Sequence, residues 1–217
     1  MDSLAVSISE NIPGVFVARQ KRSVRIRDAF INAGVEALNG MRFSDLRVSD
    51  LATNSGNSVG SFYTRFRDKD AFFRALGAFT IESLDREIIE RFTDETLSAS
   101  TPNDGLEMLV DLLADIFTSR FRGVLRESLL RILEPDDPWA PMRGSASKII
   151  AVLHSGMGSA FPEYSDKETK IRLSFCFQII VGVLQNDLVN DYHVFSTRDQ
   201  SIRKGLKEAV CSYMKSG

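Results

Sequence analysis

Two cysteines and two histidines are all that the 217 residues provide. Cys176 and Cys211 both lie among apolar residues in periodic segments, so no disulfide scaffold is indicated and no metal-ligand spacing exists. A reducing cytoplasm is the default compartment for such a chain. His154 precedes a glycine-broken helix end and His193 sits in a turn-like stretch, so no carboxylate–histidine cluster points to a metal. No apolar run reaches the roughly 18 residues that a spanning helix needs. The most apolar stretch, Leu173 to Leu184, is too short to cross a bilayer, so no membrane partner is expected. The first residues, with Asp2 and Glu10 and no basic start feeding an apolar run, do not read as a secretory signal. Period-two alternation of β-branched residues is also missing, which excludes a sheet and leaves an all-α fold.

What is there is ordinary in amount and uneven in place. Apolar residues are 43% and charged residues 26%, values typical of a soluble globular protein. The length suits one medium domain, or a small domain fused to a larger one. Formal net charge is −2, but Arg19 to Lys69 holds ten basic and five acidic residues, a segment charge of +5. The remainder carries seventeen basic and twenty-four acidic residues, or −7. A basic headpiece on an acidic body is the asymmetry expected when one end meets a polyanion, although a plain solvated face gives the same count.

Helical periodicity begins at Arg22, with Ile26, Ala29, Phe30, Ala33, Ala37 and Leu38 on one face. Asn39-Gly40 offers a left-handed stop. Short helices fit Val48 to Ser55 and Ser58 to Phe66, with Gly56 breaking between them. Longer ones fit Asp68 to about Phe92, Leu106 to Ser119, Arg122 to Leu133, residues 143–160, Asp166 to Leu188 and Ser196 to Met214. The breakers are Pro13-Gly14, "SASTPNDG" and "EPDDPWAP". These marks divide the chain into an N-terminal arm (1–18), a three-helix unit (19–67) and a larger helical body (68–217).

One short stretch carries the functional question. "NSGNSVGSFYTRF" contains Gly56-Asn57-Ser58-Val59-Gly60, a literal match to the G-x-S-x-G elbow that exposes a nucleophilic serine. An elbow needs a strand just before it, and "LRVSDLATNS" is spaced as a helix. No constellation of base, nucleophile and orienting group stands elsewhere, so an enzyme is not expected. Two short helices joined by a tight glycine turn, after a longer first helix, instead make a helix-turn-helix. Ser58 is then the N-cap of its second helix. Gly60 and Ser61 lack bulk on the first turn, and Phe62 and Phe66 belong to the core beneath.

Over about residues 22–75 the chain resembles the TetR-type bacterial transcription regulators. The likeness runs through "IRDAFINAGVEAL", then "VSDLATNSGNSVGSFYTRF", then "DKDAFF". Ser55, Gly56, Asn57, Ser58, Ser61, Phe62, Tyr63, Arg65, Phe66 and Lys69 follow the family's turn and second helix in order. Arg42 departs from the usual glycine. Arg47 departs from the usual threonine cap, with Asp50 in place of the acid three residues on, and Asn57 replaces the usual valine.

The resemblance implies an all-α protein with an N-terminal helix-turn-helix DNA-binding domain fused to a larger helical domain for ligand binding and dimerisation. It implies a homodimer on double-stranded operator DNA, most often a repressor released by a small molecule; an activator, or a regulator without an effector, is the alternative. Tyr63 and Lys69 match phosphate-contacting positions. Thr64 and Arg65 reach backbone or base edges, Arg65 to guanine or to phosphate. Asn57, Ser58, Val59 and Ser61 are the forward positions, with Asn57 suited to adenine and Val59 to a thymine methyl. Arg47 and Ser49 face the opposite strand's backbone. Arg19, Lys21, Arg22 and Arg25 form a basic arm, for the minor groove or for solvent. Phe117, Phe121, Leu125, Leu129, Trp139, His154, Phe175 and Gln178 are candidate walls of a cavity for an apolar or aromatic effector, with ordinary core packing as the competing use. Phe177, Val181, Leu184, Leu188, Leu206 and Val210 are the candidate dimer seam, with burial inside the single chain's body as the competing use. No cofactor or metal is expected.

Overall fold

The computed structural model describes residues 12–18, 20–92, 101–190 and 200–215. Among them run α1 (Lys21–Gly40), α2 (Val48–Asn54), α3 (Val59–Tyr63), α4 (Lys69–Arg91), α5 (Pro102–Thr118), α6 (Arg122–Leu130) and α7 (Ala140–Met157). A 3-10 turn (Gly158–Ala160), α8 (Asp166–Asn190) and α9 (Gln200–Lys215) follow. No strand occurs among the described residues, apart from an isolated antiparallel bridge between Val15 and Phe66. The fold is all-α, as the absence of alternation requires.

The chain forms two compact units. One gathers the described residues up to Ser83 and takes back Arg120–Pro141; the other holds Leu84–Ser119 and Met142 onward. This division differs from the expected boundary at 67/68. The reason is a set of bonds within the first unit. The Asn39 side chain donates to the Arg120 carbonyl at 2.9 Å and accepts from the Gly123 N–H at 2.9 Å. A Cβ on Gly123 would overlap the Leu38 carbonyl and come within 2.6 Å of the Asn39 nitrogen. Only glycine lets α6 lie this close to the end of α1.

The same bonds explain a second difference. Asn39-Gly40 is no left-handed stop: Gly40 is the last residue of α1, and Met41, in extended conformation, returns its N–H to the Ala37 carbonyl. Asn39 is used as a side-chain bridge instead.

In the first unit α1 buries Phe30, Ile31, Val35 and Leu38. Phe30 meets Phe62 edge-on at 5.5 Å, and Phe62 meets Phe66 and Phe72 at 5.1 and 5.4 Å. Gly34 admits the Phe72 ring, whose Cζ would stand 2.6 Å from an added Cβ. Such aromatic pairs add roughly 0.5–1.5 kcal/mol beyond their burial.

In the second unit α5 begins earlier than the periodicity suggests. Pro102 occupies its first turn, where its missing N–H costs nothing, and Thr101 and Asp104 close a capping box. The proline that reads as a breaker is a start signal. Helix α8 supplies Leu173, Cys176, Ile180 and Leu184 to the core, and α9 supplies Ile202, Leu206, Val210 and Met214. Burial pushes the Cys176 thiol up to about 12 and raises Cys211 also, which favours the protonated thiol at both. An 18-residue window within Asp166–Asn190 has mean hydropathy 1.2, so by length and composition this helix is long and apolar enough to cross a membrane. That differs from the expectation of a stretch too short to span; here the helix buries one face in the unit's own core.

Candidate nucleic-acid interface

The turn between α2 and α3 is built by glycine and hydrogen bonds. Gly56 takes φ +66, and its N–H returns to the Thr53 carbonyl at 3.1 Å while the Asn57 N–H returns to Ala52 at 2.9 Å. This is a Schellman stop, which favours glycine at its left-handed position. Ser58 then caps α3: its Oγ accepts from the Ser61 N–H at 3.1 Å and lies 2.9 Å from the Ser61 hydroxyl. The residues before Ser58 are helix, so Gly56–Gly60 is not a nucleophile elbow. His154 stands in the other unit, and His193 lies outside the described residues.

Helix α3 has two faces. Phe62 points inward and is fully buried; Val59 and Tyr63 are 42% and 51% exposed, with Ser58, Gly60 and Thr64 also exposed. Arg47 and Ser49 are exposed at the start of α2. Arg47 makes no side-chain cap, and the nearby Ser44 hydroxyl donates to Asp45 at 3.2 Å. No carboxylate among the described residues pairs with Lys21, Arg22, Arg25 or Arg47; Arg19 lies outside them. In the second unit, by contrast, Arg91, Lys148, Arg203 and Lys207 all bridge to acids.

Four expected contact residues are otherwise engaged, the Thr64 hydroxyl by donating to the Ser61 carbonyl at 2.8 Å. Asn57 is half-buried and donates to the Ser55 carbonyl at 2.8 Å, so its amide serves the turn and does not stand ready for adenine. The Arg65 guanidinium reaches the Ser23 carbonyl at 3.4 Å and the Thr64 carbonyl at 3.0 Å, tying α3 to α1. Lys69 donates to the Phe43 and Ser44 carbonyls at 3.1 and 3.4 Å; one of its three protons is left for another acceptor. Asp68 heads α4 and accepts the Ala71 N–H at 2.7 Å. That bond and then the Arg67 guanidinium hold its carboxyl below the usual carboxylate range. The stability this gives is present above the ordinary carboxylate pKa and is lost as pH falls through the lowered one.

The N-terminal segment makes a clasp on the end of the helix-turn-helix. Pro13-Gly14 forms a turn with Gly14 at φ +78 and the Val15 N–H bonded to the Ile12 carbonyl at 3.0 Å. Beyond it, the Phe16 N–H donates to the Arg65 carbonyl and the Arg67 N–H to the Gly14 carbonyl, both at 2.8 Å. Arg74 holds the Pro13 carbonyl at 3.0 Å. The arm therefore fastens the end of α3. Pro-Gly marks the turn in the sequence, but its partner is forty residues away or more.

The eight proposed wall residues do not come together in one unit. Phe121, Leu125, Leu129 and Trp139 belong to the first; Phe117, His154, Phe175 and Gln178 belong to the second. Phe175 and Gln178 point outward on α8: Phe175 is 47% exposed and rests on Tyr213, with ring centroids 5.0 Å apart. His154 meets the Asp166 carboxylate at 3.1 Å. An open groove of about 1080 Å³ lies between α5 and α9, but its lining is charged and includes none of the eight. Arg203 to Asp115 and Lys207 to Asp111 cross it at 2.8 and 2.7 Å. Among the described residues no group of three metal-ligating side chains occurs.

The expected dimer seam also needs correction. Phe177, Leu184, Leu188, Leu206 and Val210 are buried within the single chain, and Val181 is half-buried. The outward stripe of α8 is Ile171, Phe175, Gln178, Gly182, Asn186 and Val189, one residue row away from the row chosen by apolarity.

A three-helix headpiece with a Schellman turn and a serine-capped second helix defines a helix-turn-helix protein. Among solved structures the fold is that of the TetR-family transcriptional regulators. A regulator assigned to that family from Mesorhizobium loti aligns with TM-score 0.73 at 16% identity, over 90% of this chain and 98% of its own. A TetR transcription regulator from Haloarcula marismortui gives 0.68 at 15%, over 88% and 97%. The fatty acid degradation regulator FadR from Bacillus halodurans gives 0.59 at 17%, over 88% and 95%. No family model matches the sequence, and a search of curated proteins finds no match.

Proposed function

We propose that the chain is a DNA-binding transcription regulator of the TetR type that acts as a homodimer. Each copy places α3 in the major groove of one half of an operator. The observation that carries this reading is the outward face of the capped α3. Val59, Gly60, Tyr63 and Thr64 stand there, in a unit whose Arg47, Lys21, Arg22 and Arg25 have no carboxylate partner among the described residues. Cations without internal partners are free to displace the counterions of a phosphate backbone. Val59 suits a thymine methyl, while Tyr63 and Ser49 suit phosphate oxygens. The second copy docks on the outward stripe of α8, where Gly182 allows close approach. No catalytic, cofactor or metal role is assigned, and the cytoplasm is the compartment.

The finer reading is a repressor that a small apolar or aromatic molecule releases from its operator. It rests on the sequence resemblance. The wall candidates Phe117, Phe121, Leu125, Leu129, Trp139 and His154 divide between the two units and are assigned no common cavity, and Phe175 and Gln178 are reassigned to the dimer face. Thermal shift against a panel of apolar and aromatic compounds, followed by DNA titration with any that stabilise, tests it. A stabilising compound that leaves DNA affinity unchanged counts against release.

The DNA-binding reading is tested by selecting duplexes from a random library and titrating the winner at several salt concentrations. Ser58→Ala is expected to cost about 1 kcal/mol of stability through loss of the cap and to loosen DNA binding. Ser58→Asp keeps a cap but sets a negative charge toward phosphates, so it folds and binds DNA more weakly than the alanine variant. Equal affinity of all three proteins contradicts the placement of α3. Lys69→Ala is expected to lower affinity for specific and random duplexes alike and to reduce the salt slope by about one unit. A smaller loss of thermal stability accompanies it, since the Phe43 and Ser44 carbonyls lose their donor.

A further inference from the structure

Where α2 and α3 stand depends on the turn that leads out of α1, residues 41–47. That turn has little of its own to hold it: short returns from Asp45 to Arg42 and from Leu46 to Phe43, at 3.1 and 3.3 Å, and an N-cap residue, Arg47, whose side chain caps nothing. Its anchor is supplied from α6. The Glu127 side chain, 2% exposed, accepts the Phe43 N–H at 3.0 Å, Arg42 Nε at 2.9 Å and Arg126 Nε at 3.2 Å. Arg126 in turn donates to the Leu38 and Met41 carbonyls, each at 2.8 Å. Phe43 is thus gripped on every side. Glu127 holds its N–H, Lys69 its carbonyl, and its ring lies 4.6 Å from the Arg131 guanidinium and 4.7 Å from Phe73.

A buried carboxylate between two arginines is a poor way to gain stability, because desolvation offsets much of the attraction. What such a group does well is to fix one geometry, since every alternative leaves a buried charge unpaired. It also accounts for Arg42, the departure from glycine, as the exposed half of this pair.

We infer that Glu127 is a positioning residue for DNA binding: through the Phe43 turn, a helix outside the helix-turn-helix sets where α2 and α3 begin. This rests on the DNA-binding reading. Two variants separate the parts. Glu127→Gln keeps an oxygen for the Phe43 N–H but loses the charge that holds Arg42 and Arg126; Glu127→Ala loses both. Each is titrated with the selected duplex across salt concentrations, at a temperature where circular dichroism shows it folded. Amide exchange is followed at Phe43 and, as a reference in the other unit, at Leu184.

The expected result is a loss of affinity of about tenfold or more for Glu127→Ala, within the range for a buried N–H left without its acceptor, and a smaller loss for Glu127→Gln. The salt slope stays as in the wild type, because no phosphate contact is removed. Exchange at Phe43 quickens in the alanine variant, stays slow in the glutamine variant, and is unchanged at Leu184 in both. Wild-type affinity in a folded Glu127→Ala overturns the inference, and so does a fall in salt slope, which would place the pair at the DNA. If Glu127→Ala does not fold, Glu127→Gln decides: unaltered affinity overturns the inference. A wild type that binds no duplex defeats the DNA-binding reading instead, while the Phe43 exchange still reports whether Glu127 holds the turn.

Discussion

Gly123→Ala is expected to destabilise the protein by at least about 3 kcal/mol, at the upper end for overpacking. The added methyl would overlap the Leu38 carbonyl and approach the Asn39 nitrogen. Both are backbone atoms at the end of α1, so no rotamer change relieves the clash. Either α6 or α1 must move, and the two Asn39 bonds to Arg120 and Gly123 break with it. Chemical denaturation measures the loss. A midpoint equal to the wild type would show that α6 does not lie against α1 as described. Gly144→Ala, where an added Cβ meets nothing within 4 Å, is the matched control and is expected to be neutral or slightly stabilising.

Phe175→Glu is expected to leave the chain folded and to separate the dimer. Ile171 and Phe175 are 58% and 47% exposed, with Gly182 open beside them on the same stripe. A carboxylate at Phe175 meets its own symmetry mate, or its neighbours, across a two-fold interface. Sedimentation at micromolar concentration should change from dimer to monomer. Operator affinity should fall by about 10²-fold or more, as two linked half-site contacts become independent. Leu184→Glu is expected to behave differently: Leu184 is fully buried in the protomer, so this variant loses helix signal and aggregates. A folded monomer from Leu184→Glu, with dimers retained in Phe175→Glu, would restore the seam chosen from apolarity alone.

That choice shows where the sequence is legible and where it is not. On α8 large apolar residues stand on both rows, Ile171, Phe175 and Val189 on the outer one beside Gln178 and Asn186, and periodicity finds the helix without saying which row faces the chain's own α5 and α9. The helix-turn-helix is readable because its signals are local: Gly56 takes the left-handed conformation at the turn, and Ser58 caps its helix through the Ser61 N–H three residues on. Asn39-Gly40 and Pro102 show the limit of local rules. Each is an ordinary punctuation mark whose meaning is changed by a partner: Gly123 and Arg120 for the first, the Thr101–Asp104 box for the second. Glu127 was invisible for the same reason. In "RGVLRESLL" it reads as a solvated acid, and only the fold brings it against the Phe43 turn. Arg42, which departs from the usual glycine, has its partner in that carboxylate.

The first unit is discontinuous in sequence, and this bears on how the chain folds as it is made. Residues up to Ser83 leave the ribosome well before Arg120–Pro141. Until those later residues emerge, Leu38 and Met41 lack Arg126, and Phe43 lacks both Glu127 and Arg131. The three-helix headpiece can collapse early around its phenylalanines, yet the turn that sets its reading helices waits for a segment that contacts it across more than eighty residues. Contacts of such separation form late and slow the final step. A nascent chain released short of α6 would therefore carry the whole helix-turn-helix and still be a poor competitor for the operator.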